Sequence, residues 1–213
     1  MSSRYPIVIV VLLACSLTCS NAHGGSWTAG LKAGLNLADA YGDDSEGAGS
    51  RKGLIVGGFI GYRFTDFLSM QDEVYFTMKG SEGRHPIFFA GNRDVRIRLA
   101  YLEVPILVRF HLPLSWRVVP NIFAGPAFAI MLYNNADYEY EGRIYDINLD
   151  PYVKSTDIGV ILGGGVDVET GMGSIVLEAR YEWGLVNIPD ETPYVDLDLK
   201  NSALSFMIGY AFR

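Results

Sequence analysis

Few side chains in this sequence are of types that could do chemistry, and their spacing limits what that chemistry would be. The chain has three histidines, His23, His85 and His111. His85 lies close to Ser81 and Glu82, residue types that acyl-transferring and hydrolytic enzymes set around an imidazole. No nucleophile–base spacing goes with them, and a solvated loop histidine accounts for the same residues. His111 lies at the opposite end of its segment, beside a tight turn, away from the long loops where such chemistry would be placed. Asp43-Asp44-Ser45-Glu46 offers oxygen ligands to a divalent cation but lacks the spacing of a calcium loop, so a solvated acidic loop is the simpler reading. No catalytic, cofactor-binding or metal-binding residue is assigned on this basis, and no cofactor is expected. The larger chemical set is ionisable: Lys32, Glu73, Glu103, Arg109, Asp157, Asp167, Glu178 and Arg180 each alternate with apolar neighbours. They form a predicted interior charge network.

Alternation requires strands, and strands are what the sequence offers. After the first residues no window holds 18 unbroken apolar positions, so no transmembrane helix is expected. Period two recurs instead. Trp27, Ala29, Leu31, Ala33, Leu35 and Leu37 alternate with Thr28, Gly30, Lys32, Gly34 and Asn36. Residues 54–64 form a second segment whose faces are both apolar, which leaves its register open. Leu68, Met70, Val74, Phe76 and Met78 oppose Ser69, Gln71, Glu73, Tyr75 and Thr77. Leu102, Val104, Ile106, Val108 and Phe110 oppose Tyr101, Glu103, Pro105, Arg109 and His111. A fifth strand is predicted over 117–132, bent near Pro120 or Pro126. Ile158, Val160, Leu162, Val166 and Val168 oppose Asp157, Gly159, Gly163, Gly165 and Asp167. Ile175, Leu177, Ala179, Tyr181 and Trp183 oppose Val176, Glu178, Arg180, Glu182 and Gly184. Leu204, Phe206, Ile208, Tyr210 and Phe212 oppose Ala203, Ser205, Met207, Gly209 and Ala211.

The gaps between these segments also alternate. Thr65-Asp66, Leu112-Pro113-Leu114-Ser115 and Glu169-Thr170-Gly171-Met172-Gly173 are short. The stretches 39–52, 80–95, 133–155 and 186–201 are long and polar. Short turns at one end and long loops at the other are the pattern of a membrane barrel. The faces agree. One face of nearly every strand is apolar, and the other mixes glycine with charge. Eight strands enclose a space that side chains just fill. Glycines 30, 34, 159, 163, 165 and 209 would leave room there for the long charged residues, which should pair because unpaired buried charge is costly. A soluble core with so many ionisable inward groups is disfavoured. The expected fold is therefore all-β: an eight-stranded antiparallel up-and-down transmembrane β-barrel.

Composition fits. Charged residues are 19 % and aromatics 13 % of 213 residues, with 24 glycines. The net charge of −7 argues against a nucleic-acid partner, which needs a basic face. The first 22 residues read as an export signal: Arg4, an apolar run from Ile7 to Ala14, then Ser20-Asn21-Ala22 as the cleavage site. The barrel domain is then 23–213. Cys15 and Cys19 both lie in the signal, so the mature chain would lack thiols. Leu12-Leu13-Ala14-Cys15 also resembles a lipobox, although a barrel gains little from one acyl chain. Trp27, Phe64, Phe67, Phe110, Trp116, Tyr210 and Phe212 lie near the tight turns or chain ends, and Tyr62, Tyr75, Tyr101, Tyr133 and Trp183 nearer the middle or the long loops, as aromatic girdles would. Asp72 breaks its apolar face; a bulge or an interfacial position is expected there.

Several stretches resemble PorT-type outer-membrane β-barrel domains. They include Gly30-Leu31-Lys32-Ala33-Gly34-Leu35-Asn36, Gln71-Asp72-Glu73-Val74-Tyr75, Lys79-Gly80 and Tyr101-Leu102-Glu103-Val104-Pro105-Ile106-Leu107. Gly125-Pro126, Asp157-Ile158-Gly159, Gly163-Gly164-Gly165, Glu178-Ala179-Arg180-Tyr181, Gly184-Leu185, Asn187-Ile188 and Gly209-Tyr210-Ala211-Phe212 follow in family order. The resemblance implies a small barrel in a bacterial outer membrane. Two features depart from it: Phe212 is followed by Arg213 where such barrels end on an aromatic, and Asp72 stands where relatives often have proline. The expected role is structural or interactive, without catalysis. The alternatives are a small passive pore and a lipid-modifying enzyme. Expected partners are outer-membrane lipid and lipopolysaccharide, the barrel assembly machinery during biogenesis, and a protein partner at the outer loops.

Overall fold

The computed structural model describes residues 25–42, 48–84, 94–112, 117–140, 143–148, 153–189 and 199–212. Among them there is no helix. The strands are β1 (Ser26–Tyr41), β2 (Ala48–Arg63), β3 (Leu68–Lys79), β4 (Ser81–Arg84), β5 (Asp94–His111), β6 (Val118–Tyr140), β7 (Arg143–Asn148), β8 (Thr156–Thr170), β9 (Gly173–Asn187) and β10 (Lys200–Phe212). Every named strand pairing is antiparallel, and β1 pairs with both β2 and β10, so first and last strands close the sheet. Ten named strands make eight barrel strands. β4 continues β3, both lying between β2 and β5, and β7 is a hairpin return paired only with β6. Neighbours around the barrel follow chain order, which is the up-and-down arrangement. Closure satisfies the backbone hydrogen-bonding groups of the wall without water, the condition for crossing lipid with strands.

The faces are inverted relative to a soluble barrel. On β1, Leu31 is 63 % exposed while the adjacent Lys32 is 2 % exposed. The same holds on β10, where Ile208 is exposed and Met207 buried. The register left open for β2 is settled by its neighbours: Leu54, Val56 and Ile60 face out, and Ile55 and Phe59 face in. At the end with the short turns, Phe64 N donates to Leu68 O at 3.0 Å and Leu68 N donates to Thr65 Oγ1 at 3.0 Å. Thr170 Oγ1 donates to Gly173 O at 2.8 Å across the last short turn.

Three expectations need correction and one is narrowed. The register of β6 against β8 runs past Pro120 and Pro126 without a shift, while against β5 the pairing lapses at Gly125–Pro126 and resumes in the same register; the shift of register lies at Leu132, which is skipped between the pairs Tyr101–Met131 and Ala100–Tyr133. The stretch 133–155 is not simply a loop, because β6 continues through it and returns as β7. Asp72 stands opposite Ile60 and Ile106 with no shift of register, so of its two expected settings the bulge is absent; it is half-buried in an outward groove with Trp27, Leu31, Ile60 and Phe212, beside the rings of the short-turn end. Tyr75 and Tyr101 belong to no girdle, since both point inward and are buried. The ring cluster at the short-turn end instead includes Tyr62, 4.9 Å from Trp27 and 5.0 Å from Phe64 between ring centroids, with Tyr210 and Phe212 5.1 Å apart.

Candidate functional site: the filled lumen

The inward faces meet in a layered interior. Nearer the short turns, Lys32 Nζ donates at 2.8 Å to Glu73 Oε1 and to both carboxylate oxygens of Glu178. Arg180 donates to the other Glu73 oxygen at 2.6 Å. Arg109 pairs with Glu178 and donates to Gln71 Oε1 at 2.7 Å and Asn121 Oδ1 at 2.8 Å. Each of these cations also lies over a ring: Lys32 over Phe59 at 4.6 Å, Arg109 over Phe123 at 4.7 Å and Arg180 over Tyr75 at 4.8 Å. Carboxylates, amides and ring faces thus replace the water that these charges lose. Glycines make the space. A Cβ on Gly209 would come within 2.6 Å of Lys32 Cγ, and one on Gly163 within 2.5 Å of the Phe123 ring.

Nearer the long loops, Lys79 bridges Glu103 at 2.7 Å and Glu182 at 2.6 Å. Asp157 accepts from Asn201 Nδ2 at 2.9 Å, and the same amide lies 3.2 Å from the Tyr101 hydroxyl. Asp167 lies apart, its Oδ2 3.8 Å from His111 Nδ1. The structure therefore brings Lys32, Glu73, Arg109, Glu178 and Arg180 into one network, joins Glu103 to a second cation, and holds Asp157 through an amide. Lys79 and Glu182 were absent from the predicted network. Parity would have found both, because Lys79 shares a face with Glu73 and Thr77, and Glu182 with Glu178 and Arg180.

Above the second layer the interior becomes apolar. Val95, Ile97, Leu99, Tyr101, Ala129, Ala136 and Val153 form a buried cluster against which Met131, Tyr138 and Ile188 pack. An isolated bridge joins Val153 to Pro189, and Lys154 N donates to Ile188 O at 2.9 Å, tying two loop segments together across this cluster.

At the short-turn end a polar recess of about 370 Å³ is lined by Arg63, Ser69, Arg109, His111, Asp167 and Glu169, among others. It contains a serine, a histidine and an aspartate. Ser69 Oγ is 2.8 Å from His111 Nε2, but Asp167 stands beyond hydrogen-bond reach of Nδ1. The Arg63 guanidinium lies 3.5 Å from Nδ1 and can only donate, so it asks Nδ1 to be the acceptor. The proton then sits on Nε2 and points at Ser69, the wrong tautomer for a base that must take the serine proton. His23, His85 and the acidic run 43–46 lie outside the described residues. No group of three or more acidic, histidine or cysteine side chains suited to a metal occurs among the described residues.

Residues 19–190 match the family model described as the outer membrane protein beta-barrel domain. Among solved structures, the chain is similar to the outer membrane protein OprG from Pseudomonas aeruginosa, with 13 % identity over 88 % of this chain and 97 % of that one and a TM-score of 0.50. It is also similar to Neisserial surface protein A, with 17 % identity over 88 % of this chain and 99 % of that one and a TM-score of 0.48. Ail, the attachment invasion locus protein of Yersinia pestis, gives 14 % identity over 88 % of this chain and 99 % of that one, with a TM-score of 0.44. At its identity the likeness to OprG is one of fold. No curated protein matches the chain.

Proposed function

The chain belongs to the outer membrane protein beta-barrel domain family, and we propose that within it this protein is a closed, non-conducting barrel with a structural or interaction role. The observation that carries this reading is the filled lumen. Lys32, Arg109 and Arg180 interlock with Glu73 and Glu178 across the section of the barrel. An apolar cluster lies over the long-loop end. Such an interior leaves little path for ions. Family membership supports an outer-membrane location. The exposed belt of Leu31, Leu35, Ile60, Ile122 and Leu162 supports lipid contact around the wall. By the usual arrangement of such barrels the short turns face the periplasm and the long loops face outward. The order of the short motifs favours a PorT-type member, made with a cleaved signal peptide and inserted by the barrel assembly machinery. Lipopolysaccharide and a protein partner would meet it at the outer loops.

Cell fractionation tests this reading. The protein should sediment with the outer membrane and migrate faster on a gel before heating than after, as folded barrels do. Recovery as a soluble periplasmic protein with unchanged migration would reject it. Orientation is tested separately with Ile144→Cys, whose thiol should react with a membrane-impermeant maleimide on intact cells.

A further inference from the structure

One side chain of β3 does not suit the face it stands on. The other outward positions of this strand are Leu68, Met70, Val74, Phe76 and Met78, and Asp72 stands among them. A charge on the lipid side of a barrel costs stability, less for a carboxylate than for lysine or arginine and less toward the interface. Ionisable groups at membrane depth are rare and generally face a partner or a ligand.

Small residues make a groove beside this carboxylate. Across the wall, Phe212, Ala29, Ile60 and Asp72 stand in one row, and Tyr210, Leu31, Gly58 and Val74 in the next. Ala29 and Gly58 form the floor, and Leu31, Ile60 and Phe212 rise around it, each more than half exposed. A Cβ on Gly58 would meet Gly30 O at 3.3 Å and Leu31 Cδ2 at 3.4 Å, so a larger side chain there would extend into the groove. The space is about 690 Å³, and apart from the carboxylate its lining is apolar or aromatic.

The rings fix its depth. Trp27, Tyr62 and Met70 share a row, and the Trp27 and Tyr62 ring centroids lie 4.9 Å apart. Asp72 is the next outward position after Met70, about 7 Å further from the short turn. Rings of this kind mark the headgroup level. The carboxylate therefore lies just inside that level, with the hydrocarbon-lined groove beside it. Hydrogen bonds from the wall leave its negative charge in place; a cation balances it. An occupant that complements both parts carries a cation at headgroup level and an alkyl chain running toward the membrane centre. An anionic head would be repelled. A quaternary ammonium brings charge without an N–H donor, whereas a primary ammonium also donates to the carboxylate, the shorter and stronger kind of contact.

We propose that this groove binds a phospholipid with an ethanolamine head, whose primary ammonium pairs with Asp72 while one acyl chain lies over Ala29 and Gly58 between Leu31, Ile60 and Val74. The site rests on the lipid-facing wall proposed above and adds to it a choice of headgroup.

The test uses the full chain with Trp116→Phe and Trp183→Phe, which leaves Trp27 as the one tryptophan, folded in vesicles of unlabelled choline lipid. Chain-brominated lipids with ethanolamine, choline or glycerol heads are added at equal mole fraction, and quenching of Trp27 gives their relative affinities. The ethanolamine lipid should bind about three- to fivefold tighter than the other two, the size of an ion pair at the edge of water. Asp72→Asn should bring the three lipids level. Gly58→Leu should do the same by filling the groove, with heat-modifiable migration intact in both variants. Equal affinities with Asp72 present, or a preference that survives Asp72→Asn, would overturn the proposal. So would a Trp27 that none of the lipids quenches, because protein would then cover the groove. A heat-shifted band with level quenching removes the site and leaves the barrel; no heat-shifted band in any vesicle removes both.

Discussion

Lys32 is the residue on which the interior depends most. It touches both central glutamates, and its methylenes fit only because Gly209 has no side chain. Removing one partner of a buried ion pair leaves the other charge desolvated and costs about 3–5 kcal/mol. Lys32→Met should therefore lower the unfolding free energy, read from urea titration in lipid vesicles, by an amount in that range. The double variant Lys32→Met with Glu178→Gln should recover part of the loss, because one stranded carboxylate is removed. A loss in the double variant equal to the sum of the two single losses would show that the pair is not coupled. Parity along each strand was enough to read which of these side chains turn inward. It could not read who meets whom, since Glu73 comes from β3, Glu178 from β9 and Lys32 from β1. It put Tyr75 on the charged face with Glu73 but left Phe59 and Phe123 unplaced, because aromatic residues on a mixed face look like ordinary strand formers.

At the scale of elements, the lipid-facing stripe is the strongest signal. Leu31 sits on the exposed face of β1 and Leu112 beside a short turn, both exposed. Leu31→Arg should destabilise the barrel by about 2–4 kcal/mol, and Leu112→Arg by about 0–1 kcal/mol, because the cost of an arginine falls from midplane to interface. Equal effects at the two sites, read from urea unfolding in the same vesicles, would contradict a membrane-spanning wall. Most strands were legible because their two faces differ; β2 was not, since Ile55 and Phe59 make its inward face as apolar as its outward one. The β3–β4 junction was hidden in the pair Lys79-Gly80. Gly80 adopts φ +121° and a Cβ there would meet Ile97 O at 2.2 Å, so glycine lets the strand irregularity form while Lys79 stays in the lumen. The long gap 133–155 concealed a hairpin because its strand residues, Tyr138, Tyr140, Ile144 and Tyr145, are interrupted by acids that read as loop.

For the whole molecule, the inversion of faces and the filling of the lumen lead to one conclusion. The chain puts its leucines outside and its charges inside, which suits lipid, and then neutralises those charges against each other, which suits a plug. The proposed closed barrel requires that this network stay intact in the membrane. The direct measurement is ionic current across planar bilayers containing the purified, folded wild-type protein. Silence is predicted across the voltage range that the bilayer withstands, with incorporation verified by the heat-modifiable band. Reproducible unitary openings of uniform size would contradict a closed barrel.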